Sequence, residues 1–190
     1  MDRPTLDGVG MRVLGLDPGS RRTGWGVVEQ EGRAMRYVAC GHIAPVARLG
    51  LPDRLFHIVR EVREVLERFR PQQVVIESAF HHEFARSTLV LGHVRGALLV
   101  TAFEHGLPVS EYAPRAIKLA VTGNGAAGKE QVARMVQARL GLDGPPQSDA
   151  ADALAGALCH LQRARLDAPR RRTPAAERLQ ALIASARAAR

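Results

Sequence analysis

Two short apolar runs in this chain each stop abruptly at a carboxylate. Val13-Leu14-Gly15-Leu16 runs into Asp17, and Val74-Val75-Ile76 runs into Glu77. Runs of that length without polar alternation suit strands buried on both faces. Between them Leu51, Leu55, Ile58, Val59, Val62, Leu66 and Phe69 recur at three- and four-residue spacing and stop before Pro71, which predicts a one-sided helix. Strand, helix, strand implies a parallel pair with a crossover. In such sheets functional groups gather outside the carboxyl ends of the strands, where both acids stand.

The remaining segments extend the pattern. Thr23–Gln30 and Arg36–Ile43 flank Glu31-Gly32-Arg33 and read as a hairpin. A helix is predicted from about Ser87 to His105, a third parallel strand over Pro108–Glu111, and a short helix over Pro114–Val121. A loop over Gly123–Gly128, a helix over Lys129–Leu140 and a Pro/Gly break follow; Ser148 then caps a last helix reaching about Arg163. The fold class is α/β: a mixed, mostly parallel five-stranded sheet, parallel except for one hairpin strand, with helices on both faces. One domain over 11–164 is expected, preceded by a disordered extension over 1–10 and followed by a basic, Arg-rich tail over 165–190. No apolar stretch approaches the ~18 residues of a membrane span. The first ten residues lack a signal-peptide core. Cys40 and Cys159 are isolated and read as buried thiols in a reducing compartment. A cytoplasmic protein without membrane contact is expected.

Two further acids, Asp149 and Asp152, sit one helical turn apart in Gln147-Ser148-Asp149-Ala150-Ala151-Asp152. Singly these acids have ordinary explanations: Asp17-Pro18-Gly19 suits a turn, and Asp149 suits the first turn of a helix. Glu77 at a strand end has none. A carboxylate among apolar neighbours needs neutralising, and hard divalent cations do this with oxygen ligands. Four acids converging on one point would hold two ions, the arrangement for in-line phosphodiester hydrolysis. The charge balance agrees with a polyanionic substrate. The chain carries a net charge of +8, with eight arginines and two acids between Arg163 and Arg190. Such an arm finds phosphates by counterion release, although a solvated end has the same composition. Only two of the 27 basic residues are lysines, Lys118 and Lys129, and they flank one Gly-rich loop. A compact, mobile ammonium at both places suggests specific phosphate work.

Three other patterns carry less. Gly123-Asn124-Gly125-Ala126-Ala127-Gly128-Lys129 fits two nucleotide-loop patterns, but Glu130 stands where a P-loop needs Ser or Thr and the preceding segment reads helical. No nucleotide cofactor is expected. His81-His82-Glu83 lacks an obvious third ligand for zinc. Gly92 and Gly96, four apart on one helix, would admit a close neighbour, either a partner helix or the sheet; a packing role, at a dimer interface, is expected.

Taken in order, these residues resemble a known family. The blocks are Leu14-Gly15-Leu16-Asp17-Pro18-Gly19-Ser20-Arg21-Arg22-Thr23-Gly24-Trp25-Gly26, Ile76-Glu77-Ser78-Ala79-Phe80, Leu91-Gly92-His93-Val94-Arg95-Gly96, Gly123–Lys129 and Gln147–Ala155. They resemble the RuvC-type Holliday junction resolvases, endonucleases of the ribonuclease H-like fold, from Met11 to about Gln162. The resemblance implies a homodimer that makes paired symmetric nicks in strands of like polarity at four-way DNA junctions, in recombination and repair. It implies Asp17, Glu77, Asp149 and Asp152 as catalytic and metal-holding acids, with two Mg2+ or Mn2+ ions per subunit. Asp17 would bridge the ions, and Glu77 would hold one and orient the attacking water. The resemblance further assigns Phe80 to insertion at the junction, Lys118 and Lys129 to DNA contact, and a RuvA and RuvB type branch-migration complex as partner. After the aromatic, relatives often carry a basic and an amide residue where Glu83 and Phe84 stand here, so backbone contacts near that loop should differ. Two alternatives come from the residues alone. Asp17-Pro18-Gly19 with Gly24 also fits an actin-like phosphotransferase, though that fold needs roughly two such domains. A non-catalytic junction-binding module is the other, against which four intact acids stand.

Overall fold

The computed structural model describes residues 10–78 and 85–167. The extension (up to residue 9), Phe80 with Glu83 and Phe84, and the tail beyond Asp167 lie outside the described residues. Five strands and five helices follow one another as β1 (Met11–Asp17), β2 (Thr23–Glu31), β3 (Ala34–Ile43), α1 (Leu51–Phe69), β4 (Gln73–Glu77), α2 (Ala85–Glu104), β5 (Val109–Tyr112), α3 (Pro114–Thr122), α4 (Lys129–Leu140) and α5 (Ser148–Asp167). The strand order is β3-β2-β1-β4-β5. Strand β2 pairs antiparallel with both β1 and β3, whereas β1–β4 and β4–β5 are parallel. Four strands therefore run one way and only β2 runs against them, as the sequence led us to expect.

Boundaries differ from expectation by one to four residues. Asp17 and Tyr112 are still strand residues, and α5 runs four residues beyond Arg163. Ser148 is the first helical residue rather than the residue ahead of the helix. The N–H of Ala151 donates to Gln147 O at 2.8 Å, so the helical bonds already begin at Gln147.

The alternation of strand side chains divides the molecule into two apolar layers. Leu14, Leu16, Val27, Val74 and Ile76 face α1 and α2, meeting Ile58, Val62, Leu66, Val94 and Leu98. Val13, Val28 and Val75 face α3, α4 and α5, meeting Ile117, Val121, Val132, Leu154 and Leu158. Each such Leu or Ile, fully removed from water, contributes about 1.5–3 kcal/mol. By the same alternation Asp17 follows Val13 and Gly15 onto the α5 side, and Glu77 follows Val75 there. The two acids are thus sorted to one face before any site chemistry is considered.

One buried polar contact ties α5 to the sheet. His160 is only 8% exposed. Its Nδ1 lies 2.9 Å from the Tyr112 hydroxyl and its Nε2 meets Gln73 Oε1. A neutral ring satisfies both: Nε2–H donates to the amide oxygen and the tyrosine hydroxyl donates to Nδ1. Burial pushes the His160 pKa down, which favours that neutral form.

Candidate active site

Asp17 and Glu77 end neighbouring parallel strands whose last paired residues are Leu16 and Ile76. Adjacent strands lie about 4.8 Å apart, so the two carboxylates start side by side. The second pair of acids arrives on α5, and glycines decide how closely. A Cβ built at Gly15 would fall 1.9 Å from Ala153 O, and one at Gly24 would fall 2.0 Å from Asp149 O. At Gly26 it would meet Leu154 at 2.6 Å. Gly15 and Gly26 face each other across β1 and β2. The first turns of α5 therefore lie directly on strand backbone, with no side chain between, and this draws Asp152 in over the strand ends. These glycines belong to the family pattern, but their contact with α5 is not visible in it. The signal is the alternation Thr23-Gly24-Trp25-Gly26, which leaves one strand face bare.

Asp17, Glu77 and Asp152 line one cavity of about 220 Å3, with Lys118, Lys129, Pro114, Ile117 and Val132 as the other walls. Burial raises the Asp17 pKa to about 8, helped by the charges of Glu77, Asp152 and Asp149 and opposed by Lys129. Burial raises Glu77 to about 7, helped by Asp152 and opposed by Lys129 and Lys118. Asp152 is also raised, again mainly by burial. Its Oδ2 lies 3.6 Å from Lys129 Nζ, and the Lys129 side chain is itself 74% exposed. The two lysines singled out by composition thus reach the acids from α3 and α4.

Asp149 behaves differently. It is not among the cavity walls, although its charge is felt at Asp17. Its Oδ2 lies 3.5 Å from Arg22 Nη1, which comes from the turn after β1. No sequence pattern gave Arg22 a role of its own. As placed, no three of the Asp, Glu, His or Cys side chains among the described residues close into a ligand cluster. Asp17, Glu77 and Asp152 face a common space without closing into a cluster. Their chemistry nevertheless fits a hard dication: oxygen donors, raised in pKa by burial and by one another, with two ammonium groups among three carboxylates.

Comparison with known proteins meets this geometry independently. The family model for crossover junction endodeoxyribonuclease RuvC matches residues 13–160. That span holds both strand ends, the Gly-rich loop and the first turns of α5. The chain belongs to the RuvC family. The Neisseria meningitidis serogroup A RuvC is 50% identical over 153 residues, covering 80% of this chain and 86% of that protein. The Bordetella avium RuvC is 46% identical over 177 residues, covering 93% of both. The Thermus thermophilus RuvC, solved in complex with a Holliday junction substrate, superposes with a TM-score of 0.78 at 40% identity, covering 82% of this chain and 96% of that one. The yeast mitochondrial Holliday junction resolvase shares the fold at TM-score 0.59 and 13% identity. RuvC membership removes the actin-like alternative. Among the described residues no helix is long and apolar enough to cross a membrane.

Proposed function

We propose that this protein is a structure-selective endonuclease that resolves four-way DNA junctions by hydrolysing one phosphodiester in each of two strands of like polarity. The observation that carries the reading is the single cavity lined by Asp17, Glu77 and Asp152 with Lys118 and Lys129. It stands in a chain of a family whose Thermus thermophilus member was solved with a Holliday junction substrate. A junction-binding module without catalysis has no need to gather Asp17, Glu77 and Asp152 in one cavity beside two lysines.

Asp17, Glu77, Asp149 and Asp152 are the residues that would hold the ions, two Mg2+ or Mn2+ per subunit in this reading. Bound divalent ions supply Lewis acidity, which sharpens a water as nucleophile and offsets charge on the departing oxygen. The chain's own groups do the rest. Asp17 would be the central donor, since the charges of Glu77, Asp152 and Asp149 all bear on it. Glu77, half-buried in the cavity beside it, would orient the attacking water. Lys118 and Lys129 pair with phosphate oxygens at the scissile step and hold that strand against the strand ends. Phe80 stacks on an unpaired base at the crossover in this reading, a contact worth ~1–3 kcal/mol.

The test uses a synthetic immobile four-way junction beside linear duplex of the same sequence, with Mg2+ and Mn2+ supplied in turn. Paired nicks in the junction alone are expected. Equal cutting of duplex, or no cutting with either ion, would overturn the reading.

A junction with approximate two-fold symmetry calls for two sites, hence a homodimer. The outer face of α2 suits it. Leu89, Val100 and Phe103 are 64%, 57% and 47% exposed. A Cβ at Gly92 or Gly96 would meet nothing. These five positions form one stripe along the helix. Sedimentation at micromolar concentration should give twice the 20.6 kDa chain mass. Phe103→Glu should shift the protein to monomer, and a wild-type monomer would remove the dimer. A RuvA and RuvB type branch-migration complex remains the partner that the family resemblance brings to this reading.

A further inference from the structure

The Gly-rich loop after α3 rests on an arginine that neither the sequence patterns nor the cavity singled out. A Cβ at Gly125 would fall 2.8 Å from Arg115 Cγ, 3.2 Å from Arg115 O and 3.4 Å from Arg115 Nε. Only a residue without a side chain lets the loop lie this close on the arginine stem. The loop itself is well fixed. Thr122 Oγ1 donates to Lys118 O at 2.8 Å and accepts from Asn124 N at 3.1 Å. Ala126 N donates to Asn124 Oδ1 at 2.9 Å, and Ala127 is 2% exposed. Arg115 is therefore clasped along its stem while its residue stays exposed.

Nothing in the fold accounts for a positive charge there. No ion pair reaches Arg115 among the described residues. It sits in the first turn of α3, where the helix dipole disfavours a cation and no acid is present to offset it. The whole stretch from Ala113 to Lys129 holds Arg115, Lys118 and Lys129 and no acid. Arg115 and Lys118 are three residues apart on one helix, so their Cβ atoms are ~5–6 Å apart and both side chains leave the same face. Lys118 lines the cavity of the carboxylates, as does Pro114, the residue ahead of Arg115, whereas Arg115 itself is not one of its walls.

We infer that Arg115 is a further DNA-contacting residue, gripping the phosphate next to the scissile one on the strand that Lys118 enters. The inference rests on the nuclease reading above. A phosphate supplies the anion that the first turn of α3 lacks, and the guanidinium fork can hold two of its oxygens at once. Gly125 makes the grip specific, because the loop that delivers Lys129 also fixes the arginine stem. Strand position then depends on three cations carried by one acid-free segment.

The test is Arg115→Met in the full-length protein, which keeps an unbranched stem under Gly125 and removes the charge. Junction affinity should fall about 5- to 30-fold at 0.1 M salt. The slope of log K against log salt should shrink by about 0.9, the loss of one phosphate contact. The melting temperature should stay within about 2 °C of wild type, because methionine keeps a stem beneath Gly125 and removes no packing contact. Arg115→Lys should restore the slope and only part of the affinity. An unchanged slope in Arg115→Met, in a protein that still cuts junctions, would overturn the inference and leave the nuclease reading standing. A wild-type protein that cuts no junction would fail the nuclease reading itself.

Discussion

Asp17→Asn should abolish cleavage, by roughly a thousandfold or more, while leaving junction affinity within a few-fold of wild type. The amide keeps the shape of the side chain and removes the charge on which the other three acids act. The same variant should be more stable than wild type without divalent ions, and the sign follows from linkage. In the folded protein Asp17 has a pKa of about 8 against an ordinary 3.8. A raised pKa means that the native state binds more protons than the unfolded chain, so stability is lost as pH rises from about 4 through about 8. A loss on the order of 3 kcal/mol by pH 9 is expected. Metal-free Asp17→Asn should then melt about 5–10 °C above wild type at pH 9, with a smaller gain at pH 5. Adding Mn2+ should raise the wild type and move the variant less. Equal melting of the two proteins across that pH range would remove Asp17 from the strained position assigned to it. Cleavage near the wild-type rate would remove it from the mechanism.

Gly15→Ala should be the most damaging change of a single methyl group. The new Cβ has nowhere to go: it would sit 1.9 Å from Ala153 O, which is helix backbone and not the end of a flexible side chain. Either α5 lifts off the sheet or β1 bends. Overpacking of this kind costs roughly 3 kcal/mol, about 6–12 °C in melting temperature for a domain of this size. The effect on cleavage should be larger than stability alone explains, because lifting α5 by about an ångström moves Asp152 away from Asp17, and displacements of that order cost about a hundredfold. Gly144→Ala is the control, since a Cβ there meets nothing within 4 Å. Wild-type melting and cleavage in Gly15→Ala would show that α5 does not depend on bare strand backbone for its position.

How much of this could be read in advance depends on the range of the interaction. The strand ends at Asp17 and Glu77 were legible because each is fixed by its own apolar run, and the run of Val74-Val75-Ile76 admits few other placements. The antiparallel β2 was legible from the turn at Gly32. The neighbouring positions of β1 and β4 were a reasonable inference from one crossover helix. The seating of α5 was not legible, because it rests on contacts between residues well over a hundred positions apart, such as Gly15 with Ala153. Nor was the split among the acids. Asp152 turns into the cavity and Asp149 meets Arg22, and spacing alone cannot separate two positions one turn apart. Arg115 escaped notice for a related reason: among 25 arginines, only its contact with Gly125 sets it apart.

The two apolar layers have a consequence for how such a protein can change over time. The sheet is a partition. On one side lie α1 and α2, whose burden is solubility and any contact with a second copy; on the other lie every acid and lysine of the proposed chemistry. Drift in the first compartment, including a remodelled outer surface on α2, reaches the second only through strand backbone, which transmits little. A lineage can therefore renegotiate its assembly partners without retuning its hydrolytic machinery, and variants collected from one side should combine additively with variants from the other.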